Sequence, residues 1–315
     1  MQRVFCLPRA VKFVRGLEIR TKNPEIPAGK KKAQQMKFDP AHWRARARNL
    51  ALKLRAPFVV LFARKEVRAA IDWLAEPVLA VVLVFSATTV IAQPFYVPSG
   101  SMQPTLAIGD LTLATKFNYG YSIYSIPYMN GPTPSGRFLG GLPKVGDVAV
   151  FRLPSHTSVT YVKRVIGLPG DRIQMREGRL WINGRGLPLR PAGSGLDENG
   201  PDEIAAGEYL TVQKYIETLP GGIEHPIFKK RWDGPYDNTP LYVVPKGYVF
   251  MMGDNRDDSS DSRVPPAFGG VGYVPLGNLV GRVFVVLASV DFTNADAIWE
   301  WVTEFRFSRL LNAVH

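Results

Sequence analysis

Ser158-Val159-Thr160-Tyr161-Val162-Lys163-Arg164-Val165-Ile166 is a run dominated by β-branched and aromatic side chains and interrupted by one adjacent pair of cations. Such residues favour a pleated strand. Successive side chains of a strand point to opposite faces, so Val159, Tyr161, Lys163 and Val165 share one face and Arg164 takes the other. That face is apolar apart from a single amine. If the face is buried, the charged form of Lys163 is disfavoured and the amine tends to lose its proton. An edge strand would leave Lys163 in water instead.

Outward from this run the texture is the same. Val145-Gly146-Asp147-Val148-Ala149-Val150-Phe151 precedes it, and Arg179-Leu180-Trp181-Ile182-Asn183-Gly184 follows, ending in an Asn-Gly hairpin signal. Further strands fit 208–215, 241–244, 248–252 and 279–287, and no long amphipathic helix interrupts them before residue 294. The expectation is an all-β body of antiparallel sheets over residues 94–290. Residues 187–240, richer in Gly, Pro and acidic side chains, read as an inserted smaller β sub-domain. Residues 291–315 read as a C-terminal amphipathic helix. Asn294 or Asp296 would cap it, and Ile298, Trp299, Val302, Phe305, Leu310 and Leu311 are its apolar content. It would lie on lipid headgroups or on the β body.

Charge divides the chain. Residues 1–70 hold 18 Lys and Arg against 4 Asp and Glu, a net of +14, so the remainder carries −2 of the overall +12. A basic arm on a near-neutral body describes a charged flank rather than a nucleic-acid-binding domain. Residues 1–40 show little periodicity, and Met36 offers an alternative start. His42 to Arg68 alternates cations with apolar pieces, which suits an amphipathic helix on an anionic leaflet or a solvated helix with a basic face. The one cysteine, Cys6, lies in this arm, so the body has no disulfide.

Between the arm and the β body, no charged residue occurs from Pro77 to Gly109. Crossing a bilayer takes ~20 apolar residues, and the stretch 71–93 supplies them. A cleaved signal peptide fits badly, because a long polar arm precedes the run and no Ala-x-Ala site follows it. Cations crowd only the N-terminal side, which predicts a single span with a cytoplasmic N-terminus and an exported body.

The span delivers the chain into Pro98-Ser99-Gly100-Ser101-Met102-Gln103-Pro104-Thr105-Leu106. A Ser/Gly/Pro linker reads this way, and so does a turn that presents one hydroxyl beside another. A serine nucleophile needs a base. Of the four histidines, His42 is in the arm and His315 is the last residue, while His156 and His225 sit in Gly/Pro-rich surroundings without a companion carboxylate pattern. The G-x-S-x-G elbow is absent. Lys163 is the other candidate base. A third cluster, Gly253-Asp254-Asn255-Arg256-Asp257-Asp258-Ser259-Ser260-Asp261-Ser262-Arg263, puts Arg256 where a calcium loop needs an oxygen. It reads better as an ion-paired turn carrying hydroxyls, and no metal or cofactor is expected.

Four segments taken together resemble the bacterial type I signal peptidases: Pro98-Ser99-Gly100-Ser101-Met102 with Pro104-Thr105-Leu106; Lys144-x-Gly146-Asp147-Val148; Tyr161-Val162-Lys163-Arg164 with Gly167-x-Pro169-Gly170-Asp171; and Gly253 to Arg263. The resemblance spans residues 77–290. It implies a membrane-bound serine endopeptidase that removes signal peptides from secretory preproteins. Carried over by position, Ser101 is the nucleophile, Lys163 the general base, Ser99 an oxyanion donor and Ser259 the group that orients the lysine. Asp261 with Arg263, and Arg164 with Asp254, would be supporting ion pairs. Phe95, Val97, Leu106, Tyr161 and Val162 would line the groove, favouring Ala-x-Ala before the cut. The resemblance also implies the bacterial inner membrane, with the catalytic domain on the periplasmic face, and allows contact with the secretion translocon. Asp258 and Ser260 depart from the usual pattern, and residues 264–272 run longer than usual. The competing readings are a self-cleaving repressor, for which no helix-turn-helix precedes the span, and a tethered β-domain that binds extended peptides without cutting them.

Overall fold

A computed structural model describes residues 65–198, 210–291 and 303–315, together with 44, 46 and 48–50. Two compact units divide the chain, 1–70 and 71–315. Nearly all of the first, and with it the expected basic arm, lies outside the described residues.

Helix α1 (Lys65–Val90) has Pro77 in its interior. Its segment Asp72–Val90 is 19 residues long with mean hydropathy 1.8, is unburied, and is the one described helix long and apolar enough to cross a membrane. Strand β1 (Ala92–Tyr96) follows at once.

The second unit is built from three antiparallel sheets. The main sheet has seven strands in the order β1, β2 (Asp110–Thr115), β14 (Leu279–Ser289), β3 (Val148–Leu153), β4 (His156–Gly167), β12 (Tyr248–Met252) and β13 (Val274–Pro275). Along β3 the period of two sends Val148 and Val150 into one core cluster and Ala149, Phe151 and Leu153 into another, so both faces of this strand are covered. A four-stranded sheet places β5 (Arg172–Arg176) between β11 (Tyr242–Val243) and β6 (Arg179–Ile182), with β7 (Arg185–Gly186) beyond. Asn183 and Gly184 link β6 to β7 with φ of 52° and 80°. Two successive positive angles are what a tight hairpin between right-twisted strands needs, and Asn-Gly supplies them at least steric cost.

The third sheet is β8 (Leu189–Asp197), β9 (Leu210–Leu219) and β10 (Ile223–Lys229). It falls within the stretch 187–240 expected as a sub-domain. The four-stranded sheet also branches off between β4 and β12, beginning at Arg172. A bridge from Phe228 to Asn255 joins the third sheet to the loop after β12.

The C-terminal expectation is corrected. Residues 292–302 lie outside the described residues, and the described remainder is not an amphipathic helix. Residues 303–315 hold one 3-10 turn, Phe307–Arg309, and pair with β14 through the bridge Val285 to Ala313 and with the residue just beyond it through the bridge Val290 to Phe305. Leu310 and Leu311 are exposed, whereas Val314 enters the core. The backbone groups of β14 accept from and donate to this segment, so over residues 303–315 strand-like pairing takes the place of helical bonding.

Phe151, fully buried and edge-on to Tyr161 at 6.2 Å, tests the load carried by the main sheet. Phe151→Ala is expected to lower the unfolding free energy by ~3–5 kcal/mol in a urea titration. Phe284→Ala, on the same sheet but 39 % exposed, is expected to change it by about 1 kcal/mol or less.

Candidate active site

The turn after β1 is a single 3-10 turn, Gly100–Met102, entered from an extended Ser99. Met102 and Leu106 anchor it in the core, each fully buried beside Val97 and Val314. With those side chains turned inward, Ser101 Oγ faces β4. Lys163 Nζ lies 2.5 Å from it, and Ser99 Oγ lies 3.4 Å from it.

Lys163 is 4 % exposed. Burial pushes its amine down to about 8, Asp261 and Asp254 oppose that fall, and Arg263 adds to it. Neither carboxylate hydrogen-bonds the amine, because each is taken by an arginine. Arg164 Nε and Nη2 hold the two oxygens of Asp254 at 2.9 and 2.7 Å. Arg263 holds both oxygens of Asp261 at 2.9 and 2.8 Å and also reaches the Arg256 carbonyl at 2.7 Å. Burial alone would raise both carboxyls, yet the facing guanidiniums keep each below the usual carboxylate range.

Gly253 sets how closely these pieces approach. A Cβ there would stand 2.2 Å from Ser259 Oγ and 2.4 Å from the Ser101 carbonyl oxygen, so only glycine lets the two loops meet. Asn255 N donates to that same carbonyl at 3.2 Å, and Gly253 N donates to Asp261 at 3.0 Å. Ser259 Oγ is buried here without a hydrogen-bond partner among the described residues.

A cavity of about 460 Å³ opens onto the pair Ser101 and Lys163. Phe95, Val97, Tyr161 and Val162 line it, together with Thr112, Val150, Val159 and Thr160. Along both walls the chain climbs towards the reactive pair, from Phe95 to Ser101 and from Val159 to Lys163. Leu106 is corrected: it does not line the cavity. Its N–H donates to the Met102 carbonyl at 2.9 Å, a turn that directs its side chain into the core. Asp258 and Ser260, the departures from the familiar pattern, form part of the rim.

The histidines are placed differently from the sequence reading. His156 is exposed at the start of β4. His225 lies in β10 rather than a loop, 1 % exposed, between Glu217 at 3.2 Å and Asp254 at 3.3 Å. Arg256 pairs with both oxygens of Glu217. For Glu217, burial works upward, but Arg256 and His225 overcome it and hold the carboxyl at about 2. A buried row of ionisable side chains, Arg164, Asp254, His225, Glu217 and Arg256, thus runs from β4 to the third sheet. The side chains hydrogen-bonded to Ser101 Oγ among the described residues remain Lys163 and Ser99.

Residues 70–288 match the family described as Signal peptidase, peptidase S26. The Signal peptidase I of Rickettsia typhi is 36 % identical over 242 residues, covering 71 % of this chain and 86 % of the relative. That of Rickettsia akari is 37 % identical over the same span and shares. The chain belongs to the signal peptidase family and is a serine peptidase. Within the family, its curated relatives are of type I. The crystal structure of a signal peptidase I from Enterococcus faecalis V583 matches at 24 % identity over 45 % of this chain and 97 % of that one, with a TM-score of 0.25, too low for an argument about fold.

The depressed lysine has a consequence for stability. Between about 8 and 10.5, its ordinary value, the folded chain holds Lys163 neutral while the unfolded chain keeps the proton. The unfolded state binds more protons in that window, so this group adds stability as pH rises through it and nothing further above. In urea titrations at pH 8 and pH 10, the difference between wild type and Lys163→Met is expected to shift towards wild type at the higher pH. An unchanged difference would mean an ordinary, solvated amine.

Proposed function

We propose that this chain is a membrane-anchored type I signal peptidase working through Ser101 and Lys163. The observation that carries this reading is the 2.5 Å separation of Ser101 Oγ and a buried, depressed Lys163 amine at the mouth of an apolar cavity. The neutral amine accepts the Ser101 proton as Oγ attacks the carbonyl carbon of the residue before the cut. The developing oxyanion takes a hydrogen bond from Ser99. Lys163 then returns the proton to the departing amine, which leaves as the new N-terminus of the mature protein. Water, deprotonated by the same amine, hydrolyses the Ser101 ester and frees the signal peptide as a carboxylate. Ser259 is the proposed partner of the Lys163 amine. Its unpartnered hydroxyl beside Gly253 supports that assignment. Arg164 with Asp254 and Arg263 with Asp261 hold the frame.

The substrate is a secretory preprotein, laid extended between β1 and β4. Apolar walls from Phe95, Val97, Tyr161 and Val162 suit small side chains and support an Ala-x-Ala preference. In this reading α1 crosses the inner membrane once, with residues 1–70 cytoplasmic and residues 94–315 on the periplasmic face, beside lipid and within reach of the translocon. No nucleic acid takes part.

The first test is incubation of the full chain in detergent with a signal-peptide-bearing preprotein, followed by mass analysis of the new N-terminus. Cleavage after Ala-x-Ala is expected. Binding without a cut would mark a tethered peptide-binding domain instead. Activity should rise with pH through about 8 as Lys163 loses its proton. Lys163→Ala and Lys163→Arg should both be inert, since arginine stays protonated. Ser101→Ala should abolish turnover. Ser99→Ala should retain measurable activity with kcat lower by roughly 10²–10³ and KM little changed. A wild-type rate in Ser99→Ala would remove the oxyanion role.

Orientation has its own readout. A reporter fused after residue 60 is expected to act in the cytoplasm and one fused after residue 290 outside it. Cytoplasmic activity of the later fusion would reverse the proposed topology.

A further inference from the structure

The segment 303–315 lies beyond the residues 70–288 that match the family, yet it reaches the loop that follows Ser101. It runs beside β14, with Leu311 N donating to the Val286 carbonyl at 2.8 Å and Val314 N to that of Phe284 at 2.9 Å. From this backbone two guanidiniums extend to residues 103–110. Arg309 Nε and Nη2 hold the two oxygens of the fully buried Asp110 at 2.9 and 2.6 Å, and Nη2 also donates to the Thr105 carbonyl at 3.1 Å. Asp110 in turn accepts from Ala107 N at 2.9 Å.

Arg306 holds the same loop from its other side. It donates to the Ile108 carbonyl and, at 2.7 Å, to Glu198. Glu198 accepts from Ile108 N at 3.0 Å, and Glu198 N donates to Gln103 Oε1 at 3.2 Å. Val314 packs in the cluster that contains Met102 and Leu106. The carbonyl of residue 315 accepts from Arg164 Nη1 at 2.7 Å, the guanidinium that holds Asp254.

The stretch from Gln103 to Gly109 is neither helix nor strand. Such a loop takes its position from what it touches, and a two-pronged arginine–carboxylate contact fixes direction as well as distance. Ser101 sits at the head of this loop, 2.5 Å from its lysine, a geometry where a displacement of about 1 Å costs on the order of 10² in rate. We propose that Arg309, seconded by Arg306, is a positioning residue of the peptidase reaction: segment 303–315 is a strap that holds the Ser101 turn against Lys163. This rests on the proposed role of Ser101.

The test uses the full chain in detergent micelles, with a peptide spanning an Ala-x-Ala site as substrate. Wild type, Ser101→Ala, Arg309→Ala, Arg309→Lys and Arg306→Ala are compared for kcat, KM, pH profile and fraction folded at the assay temperature. Arg309→Ala is expected to lose about tenfold or more in kcat per folded molecule. Its KM should change less than its kcat, and its pH limb should stay at the wild-type position because Lys163 keeps its surroundings. Arg309→Lys keeps the charge without the fork and should recover part of the rate. Should Arg309→Ala fail to fold, Arg309→Lys and Arg306→Ala carry the same expectation in milder form. Rates per folded molecule within twofold of wild type in all folded variants would overturn the strap while leaving Ser101 in place. Turnover by Ser101→Ala would overturn the reading beneath it and the strap together.

Discussion

Desolvation of one amine is the constraint on which the arrangement depends. A lysine buried among apolar residues is driven towards its neutral form, and any carboxylate that reached it would undo the effect. Asp254 and Asp261 are near enough to be felt by Lys163, yet each is occupied on both oxygens by an arginine. The ion pairs beside the site therefore do more than brace it. Arg263 cancels part of the upward pull that Asp261 and Asp254 still exert on the amine.

That cancellation has a cost elsewhere. Buried ion pairs are weak stabilisers as wholes, but removing one member of such a pair costs roughly 3–5 kcal/mol, because the other is left without compensation. Arg164, Asp254, His225, Glu217 and Arg256 are all nearly inaccessible to solvent, so each is hostage to its neighbours.

Much of this was legible beforehand. The period-2 face of residues 158–166 gave away a lysine among apolar neighbours, and Asn183-Gly184 gave away its hairpin. The Ser101–Lys163 proximity itself was not in the pattern; it came from resemblance, since no local rule brings together residues 62 positions apart. Leu106 sits in the core beside Met102 rather than along the cavity, a placement that its motif position does not reveal. The Glu217–His225 pairing had a signal that went unused: Pro220-Gly221-Gly222 marks a hairpin, and counting outward from it sets Glu217 opposite His225. Over residues 303–315 helical spacing of apolar residues says nothing about a stretch of β14 left open on one side, which those residues pair with instead.

The bridge between Phe228 and Asn255, with His225 and Glu217 behind it, bears on how small this enzyme could be made. A three-stranded sheet hung between β7 and β11 looks like a detachable ornament. Cutting it away would leave Asp254 with Arg164 but without His225, and would strip the buried Arg256 of Glu217. The inner strands of that sheet carry the partners of the loop after β12 and cannot be pruned as a unit.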